Sequence, residues 1–142
     1  MNFLVDTNVV AEWVKPQPEP RVVSWFAEID EDRVFLSVAT LAEIRRGVEA
    51  MPAGRRRDRL ATWLADELLA RFEGRILTID QHVALWWGVV MARTQKAGLT
   101  MGTMDAFIAA TAQVYSLTLV TRDVGDFRAS GIELMDPWLP PP

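Results

Sequence analysis

Short apolar runs alternate with longer helical patterns along this chain, and that alternation restricts its fold more than any other feature. The runs cover residues 3–5, 34–37, 75–79, 117–121 and 132–135. Helical periodicity covers 9–14, 21–29, 39–51, 55–72, 81–97 and 103–115. A strand that reaches its neighbour only after a helical crossover lies parallel to it. The pattern therefore predicts an α/β fold, a three-layer α/β/α sandwich with a twisted, mainly parallel central sheet. A length of 142 residues supplies one such core and not two, which places residues 1–142 in a single domain.

The breaks between elements are legible. The stretch KPQPEP at 15–20 reads as a stiff loop, because proline fixes φ and removes a backbone donor. Pro52-Ala53-Gly54 separates two helices, and Gly98 ends the fifth. The proline-rich residues 137–142 read as an extended or frayed tail. With no cysteine there are no disulfides and no thiolate metal sites, which suits a reducing compartment. The start carries no basic and then apolar leader, and the longest apolar stretch, residues 83–92, is far below the ~18 residues of a membrane span. These features predict a cytoplasmic protein with no membrane partner.

A net charge of −4 disfavours gripping nucleic acid by bulk charge, but the cations are unevenly placed. Arg45, Arg46, Arg55, Arg56, Arg57 and Arg59 fall within fifteen residues. That cluster is either a solvated helix start or a track for phosphates.

Acidic residues stand where the predicted elements end. Asp6 closes the first run, in FLVDTN, and a helix begins behind it; as a good N-cap it has a structural role available. Glu43 follows the second run, on the flank of a helix whose apolar stripe is Leu41, Ile44, Val48 and Met51. It lies beside Gly47, and Thr40-x-x-Glu43 also matches a capping box. Asp105 falls in the first turn of the helix whose shared face is Met104, Phe107, Ile108, Thr111 and Tyr115, where a helix dipole favours an acid. Asp123 follows the fourth run, with Asp126 close behind.

Ligands collect outside the carboxyl ends of strands in open α/β sheets, so these acids can converge above one edge. Two carboxylates ~5 Å apart repel by about 3 kcal/mol at an effective dielectric of ~20. A cluster must protonate, recruit a cationic side chain or bind a cation. Hard oxygen donors without cysteine select Mg²⁺, or Mn²⁺, over zinc. His82, the only histidine, reads as an exposed helical residue, and Trp86 and Trp87 read as core or interface. No histidine–nucleophile pair or glycine-rich phosphate loop is present.

The stretches FLVDTNVVAEW, LSVATLAEIRRGVE, VALWWG and GTMDAFIAATAQVYSLTLVTRDVGDF carry a family resemblance. Together the chain resembles the PIN-domain ribonucleases, and within them the VapC-type toxins of toxin–antitoxin pairs, particularly the FitB-like branch. The resemblance implies a PIN-like sandwich and an acidic Mg²⁺ or Mn²⁺ site on Asp6, Glu43, Asp105 and Asp123. Asp123 stands where related chains often carry Asn, and Asp126 is the alternative fourth acid. Thr7, Asn8 and Thr121 match polar positions that support the acids or meet substrate, and Arg45, Arg46, Arg55, Arg56 and Arg57 become candidate RNA contacts. It also implies metal-dependent hydrolysis of RNA phosphodiester bonds, a homodimer and a VapB-type antitoxin partner. Two other readings use acids in this way. One is a PIN nuclease of RNA processing. The other is an aspartate-dependent phosphatase or phospho-receiver; the phosphatase needs a second Asp where Asn8 stands, and the receiver needs a late lysine, absent after Lys96.

Overall fold

The computed structural model describes residues 1–141. Five strands form one sheet: β1 (Phe3–Val5), β2 (Val34–Ser37), β3 (Ile76–Leu77), β4 (Thr118–Val120) and β5 (Leu134–Met135). Their order is β3-β2-β1-β4-β5, and every pairing is parallel. The central strand is buried on both faces, so its side chains alternate between two cores. Phe3 and Val5 join Val34, Leu36 and Val120 on one side. Leu4 joins Leu119 on the other, with Phe35 packed against them.

Among the described residues eight α-helices cover the faces: α1 (Thr7–Val10), α2 (Pro20–Glu28), α3 (Val38–Ala50), α4 (Arg55–Thr62), α5 (Leu69–Arg71), α6 (Gln81–Lys96), α7 (Thr103–Val114) and α8 (Val124–Phe127). One core takes Val22 and Phe26 of α2 with Leu64, Leu68 and Phe72. The other takes Val90 of α6 and Ala106, Ile108, Ala109 and Ala112 of α7. The caps follow local chemistry. Asp80 accepts from the Val83 amide at 3.0 Å to start α6, and Gly98 at φ +73° closes it in a conformation that disfavours a side chain.

Several boundaries differ from the sequence expectation. The stretch 55–72 is not one helix: a π-helical segment, Trp63–Leu68, joins α4 to α5. Neither Gly nor Pro marks that change, so nothing local announces it. The first helix is only α1, continued by a 3₁₀ turn, Ala11–Val14. Strand β3 stops at Leu77 because its only neighbour, β2, turns into α3 after Ser37. Tyr115 is exposed, whereas α7 is buried around most of its circumference by the sheet, α3 and α6. The start of the tail is docked, not frayed, whereas residues 139–141 are exposed. Pro137 is buried, Trp138 packs on the core, and its backbone amide donates to Asp136 at 2.8 Å. Pro142 lies outside the described residues. Among the described residues no helix is long and apolar enough to cross a membrane.

Candidate metal centre

Strand order reverses between β1 and β4: the chain first builds outward through β2 and β3, then resumes on the other side with β4 and β5. Loops leaving the two strands diverge there and open a crevice at their carboxyl ends. Asp6 is the first residue beyond β1, and its backbone amide donates to the Val120 carbonyl at 2.9 Å. It is 4% exposed. One carboxylate oxygen accepts from the Thr7 amide at 2.8 Å and caps α1; the other accepts from the Thr121 hydroxyl at 2.7 Å. Capping occupies only part of its acceptor capacity, since a carboxylate has about four lone-pair sites.

Glu43 reaches the same crevice from the flank of α3. It is not part of a capping box: Ser37 caps that helix, its hydroxyl accepting from the Ala39 amide at 3.0 Å, and Thr40 is buried one turn inside. Glu43 instead accepts from the Thr7 hydroxyl at 2.9 Å. Asp105 enters from the first turn of α7, and among the described residues its carboxylate takes no hydrogen bond. Oxygens of Asp6, Glu43 and Asp105 lie within 4.8 Å of one another.

Asp123 stands beside this trio, not within it. Its carboxylate accepts from the Asn8 side-chain amide at 3.0 Å, and its backbone amide donates to the Thr121 hydroxyl at 3.0 Å. Asn8 also accepts from the Arg122 amide at 3.2 Å, so one side chain ties the loop after β4 to α1. Asp126, in α8, is near enough to act electrostatically on Asp105.

The cluster perturbs its own ionisation. Burial pushes the Asp6 carboxyl above the usual range; the hydrogen bonds from Thr121 and Thr7 oppose this, and Glu43 and Asp123 reinforce it. Burial, followed by the charges of Asp6, Glu43, Asp126 and Asp123, raises Asp105 to about 6. A carboxyl raised in the folded state binds protons there that the unfolded chain has released, so it stabilises the fold below its unfolded value near 4. That contribution is lost as pH rises through about 6. The metal-free protein is accordingly expected to melt at lower temperature as pH goes from 4.5 to 7, once other groups are controlled with Asp105→Asn. A wild-type profile that matches the variant's would contradict this coupling.

The arginine cluster separates into unlike groups. Arg57 donates to the Val48 carbonyl at 3.1 Å and to Glu49 at 2.8 Å, tying α4 to the end of α3, and Arg45 pairs with Glu49 at 2.9 Å. Both therefore have protein partners, Arg45 in an exposed pair and Arg57 in a bond to the backbone. Arg46 and Arg55 are exposed. Arg56 lines a groove of about 1380 Å³ that begins at Thr7 and Glu43, and so do Arg59 and Trp63. The signal for the last two was the i, i+3, i+7 spacing of Arg56, Arg59 and Trp63 on one helical face. Arg57→Ala should lower the melting temperature through the lost backbone bond, a cost of about 1 kcal/mol. It should leave the salt dependence of RNA binding unchanged, whereas a flatter salt dependence would return Arg57 to the phosphate contacts.

The profile of the PIN domain family matches residues 3–130 of the chain. The chain is 38% identical over 136 residues to a protein named Toxin FitB of Neisseria gonorrhoeae, covering 96% of this chain and 98% of that protein. It is 36% identical over 138 residues to VapC ribonuclease Y4jK of Sinorhizobium fredii, covering 97% and 99%. A solved structure of FitAB bound to a DNA fragment superposes with a TM-score of 0.91 at 36% identity, covering 99% of this chain and 98% of that one.

Proposed function

We propose, from the premise that this chain belongs to the PIN domain family, that it is a metal-dependent ribonuclease and the toxin of a VapBC-type toxin–antitoxin pair. One observation carries the reading: three carboxylates from separate elements converge at the switch point of the sheet and, among the described residues, none of them is in an ion pair. The relatives named ribonuclease and toxin support it.

The donor set fits a hard divalent cation. All three candidate ligands are carboxylates, and burial together with the neighbouring acids raises Asp6 and Asp105, a penalty that a divalent cation would relieve. Asp6, Glu43 and Asp105 would hold Mg²⁺, or Mn²⁺, with Asp123 as an outer acid. An ion held there would acidify a water and shield the developing charge of a phosphodiester. The chain's own groups hold the acids in place: Thr121 and the Thr7 amide orient Asp6, the Thr7 hydroxyl orients Glu43, and Asn8 orients Asp123. Attack through the RNA's own 2′-hydroxyl needs a general acid–base pair. The one histidine, His82, is exposed on α6. The expected products therefore carry 5′-phosphate and 3′-hydroxyl ends.

Partners follow from the same reading. A small VapB-type antitoxin would neutralise the acidic centre, and its basic side chains suit the carboxylates. The exposed Leu85 and Val89 of α6 offer apolar surface for a homodimer. The test is the purified chain with single-stranded RNA and Mg²⁺ or EDTA, with and without the protein encoded beside it. Cleavage that needs the metal and stops with the neighbour supports the proposal. Cleavage indifferent to EDTA would defeat the metal assignment, and indifference to the neighbour would defeat the toxin role.

A further inference from the structure

Six tryptophans are spread along the chain, and five have a partner for the ring. Trp13 packs against Phe26 and Phe72 and carries the Arg71 guanidinium 4.0 Å from its centre. Trp25 meets Phe3 and Phe26, and Trp87 stacks on Phe107. Trp86 and Trp138 lie under Arg93 and Arg122. Among the described residues Trp63 has neither an aromatic nor a cationic neighbour on its ring, though it is partly buried against the core. It faces the groove that starts at the acidic centre.

The cations of that groove divide in the same way. Lys15 lies 2.7 Å from the buried carboxylate of Glu12, and Arg71 pairs with Glu31. Arg56 and Arg59 are in no ion pair among the described residues. These unpaired groups are not scattered. Arg56 and Arg59 lie on α4, and Trp63 opens the π-helical segment that continues it, so all three share one wall. Irregular π turns are often found at functional sites, because the wider turn re-aims a side chain.

A half-buried indole that lines the groove, on the same wall as two guanidinium groups and in a groove shared with Glu43, matches the needs of single-stranded nucleic acid. Bases stack on an aromatic ring whatever their identity, and arginines follow the backbone. A protein segment would be served by the apolar residues of the groove; Asp58 and Glu67 also line it but form no ion pair with Arg56 or Arg59 among the described residues, which leaves both guanidinium groups available to an anionic backbone.

We propose that Arg56, Arg59 and Trp63 form the subsite that seats single-stranded RNA beside the bond to be cut, one base stacked on Trp63 and its flanking phosphates held by the two arginines. This rests on the ribonuclease reading above. The experiment compares wild type, Trp63→Phe, Trp63→Ala and Arg56→Ala/Arg59→Ala on one short RNA, intact or with a single abasic position moved along it. Wild-type cleavage tests the ribonuclease reading by itself, and its absence removes both. Given cleavage, Trp63→Ala should raise KM about tenfold, the size of one lost base stack, with kcat moved far less. Trp63→Phe should keep most of the affinity, which also controls for misfolding of the alanine variant. One abasic position should raise KM in wild type and have no further effect in Trp63→Ala. The double arginine variant should flatten the log–log salt dependence of kcat/KM by about 0.7 for each lost contact. Unchanged KM and salt slope would overturn the proposal. So would variants that cleave RNA normally yet bind the inhibitory neighbour protein more weakly, which would assign the wall to that protein.

Discussion

Asp105→Asn protein is expected to fold and to lose Mg²⁺-dependent RNA cleavage by about 10³-fold or more, the loss that follows when several kcal/mol of charge stabilisation is removed. The substitution preserves shape and takes away one charge. Because no protein donor bonds to the Asp105 carboxylate among the described residues, the fold has little to lose at that position. Asp6→Asn should abolish cleavage as well, but less cleanly. Asp6 accepts hydrogen bonds on both oxygens, from the Thr7 amide and the Thr121 hydroxyl, and an amide group would present one of those donors with another donor. The comparison of purified variants by product formation, with circular dichroism as the control for folding, decides the matter. Near-normal cleavage by Asp105→Asn would exclude the trio as the catalytic centre.

The second large effect concerns stability, and its sign separates a metal site from a set of helix caps. If Asp6, Glu43 and Asp105 served only as caps, exchange for Asn would be neutral or mildly destabilising, because Asn caps about as well as Asp. A shared cluster behaves oppositely. Two full charges ~5 Å apart cost about 3 kcal/mol at an effective dielectric of ~20. Solvent reaching Asp105 reduces that, so Asp105→Asn should stabilise the metal-free protein by about 1–2 kcal/mol at pH 7.5, above its raised pKa. Wild type should gain about 2.7 kcal/mol when Mg²⁺ is a hundredfold above its dissociation constant. The variant should gain much less. Thermal melts of both proteins in EDTA and in Mg²⁺ read all four states, and they measure the site without reference to any RNA. A wild type insensitive to Mg²⁺, with a variant that melts lower in EDTA, would leave only the caps.

Much of the architecture was legible because it depends on short-range pattern. Short apolar runs and stretches with period 3.6 placed five strands and most helices, and parallel pairing followed from the crossovers. Boundaries were less legible wherever a neighbour set them. The length of β3 depends on where β2 stops, and the π turn at Trp63–Leu68 occurs in residues that favour an ordinary helix. Trp138 was read as part of a loose tail because no local signal says that a core surface awaits it.

The candidate site divides along the same line. Sequence alone placed Asp6, Glu43, Asp105 and Asp123 at element ends, since each follows a run or opens a helix, and the chemistry of carboxylates made a cation the expected partner. Only the tertiary structure decided which acids meet. Strand order brings the loop after β1 against the loop after β4, so Thr121 bonds Asp6 and Asn8 bonds Asp123, across more than a hundred residues of chain. It drew Asp6, Glu43 and Asp105 together and left Asp123 to one side. It also sorted the arginines, because whether Arg57 or Arg56 is free depends on what α3 presents to α4. Charge and helix propensity are properties of residues and can be read one at a time; distance between elements is a property of packing, and that exists only once the chain has folded.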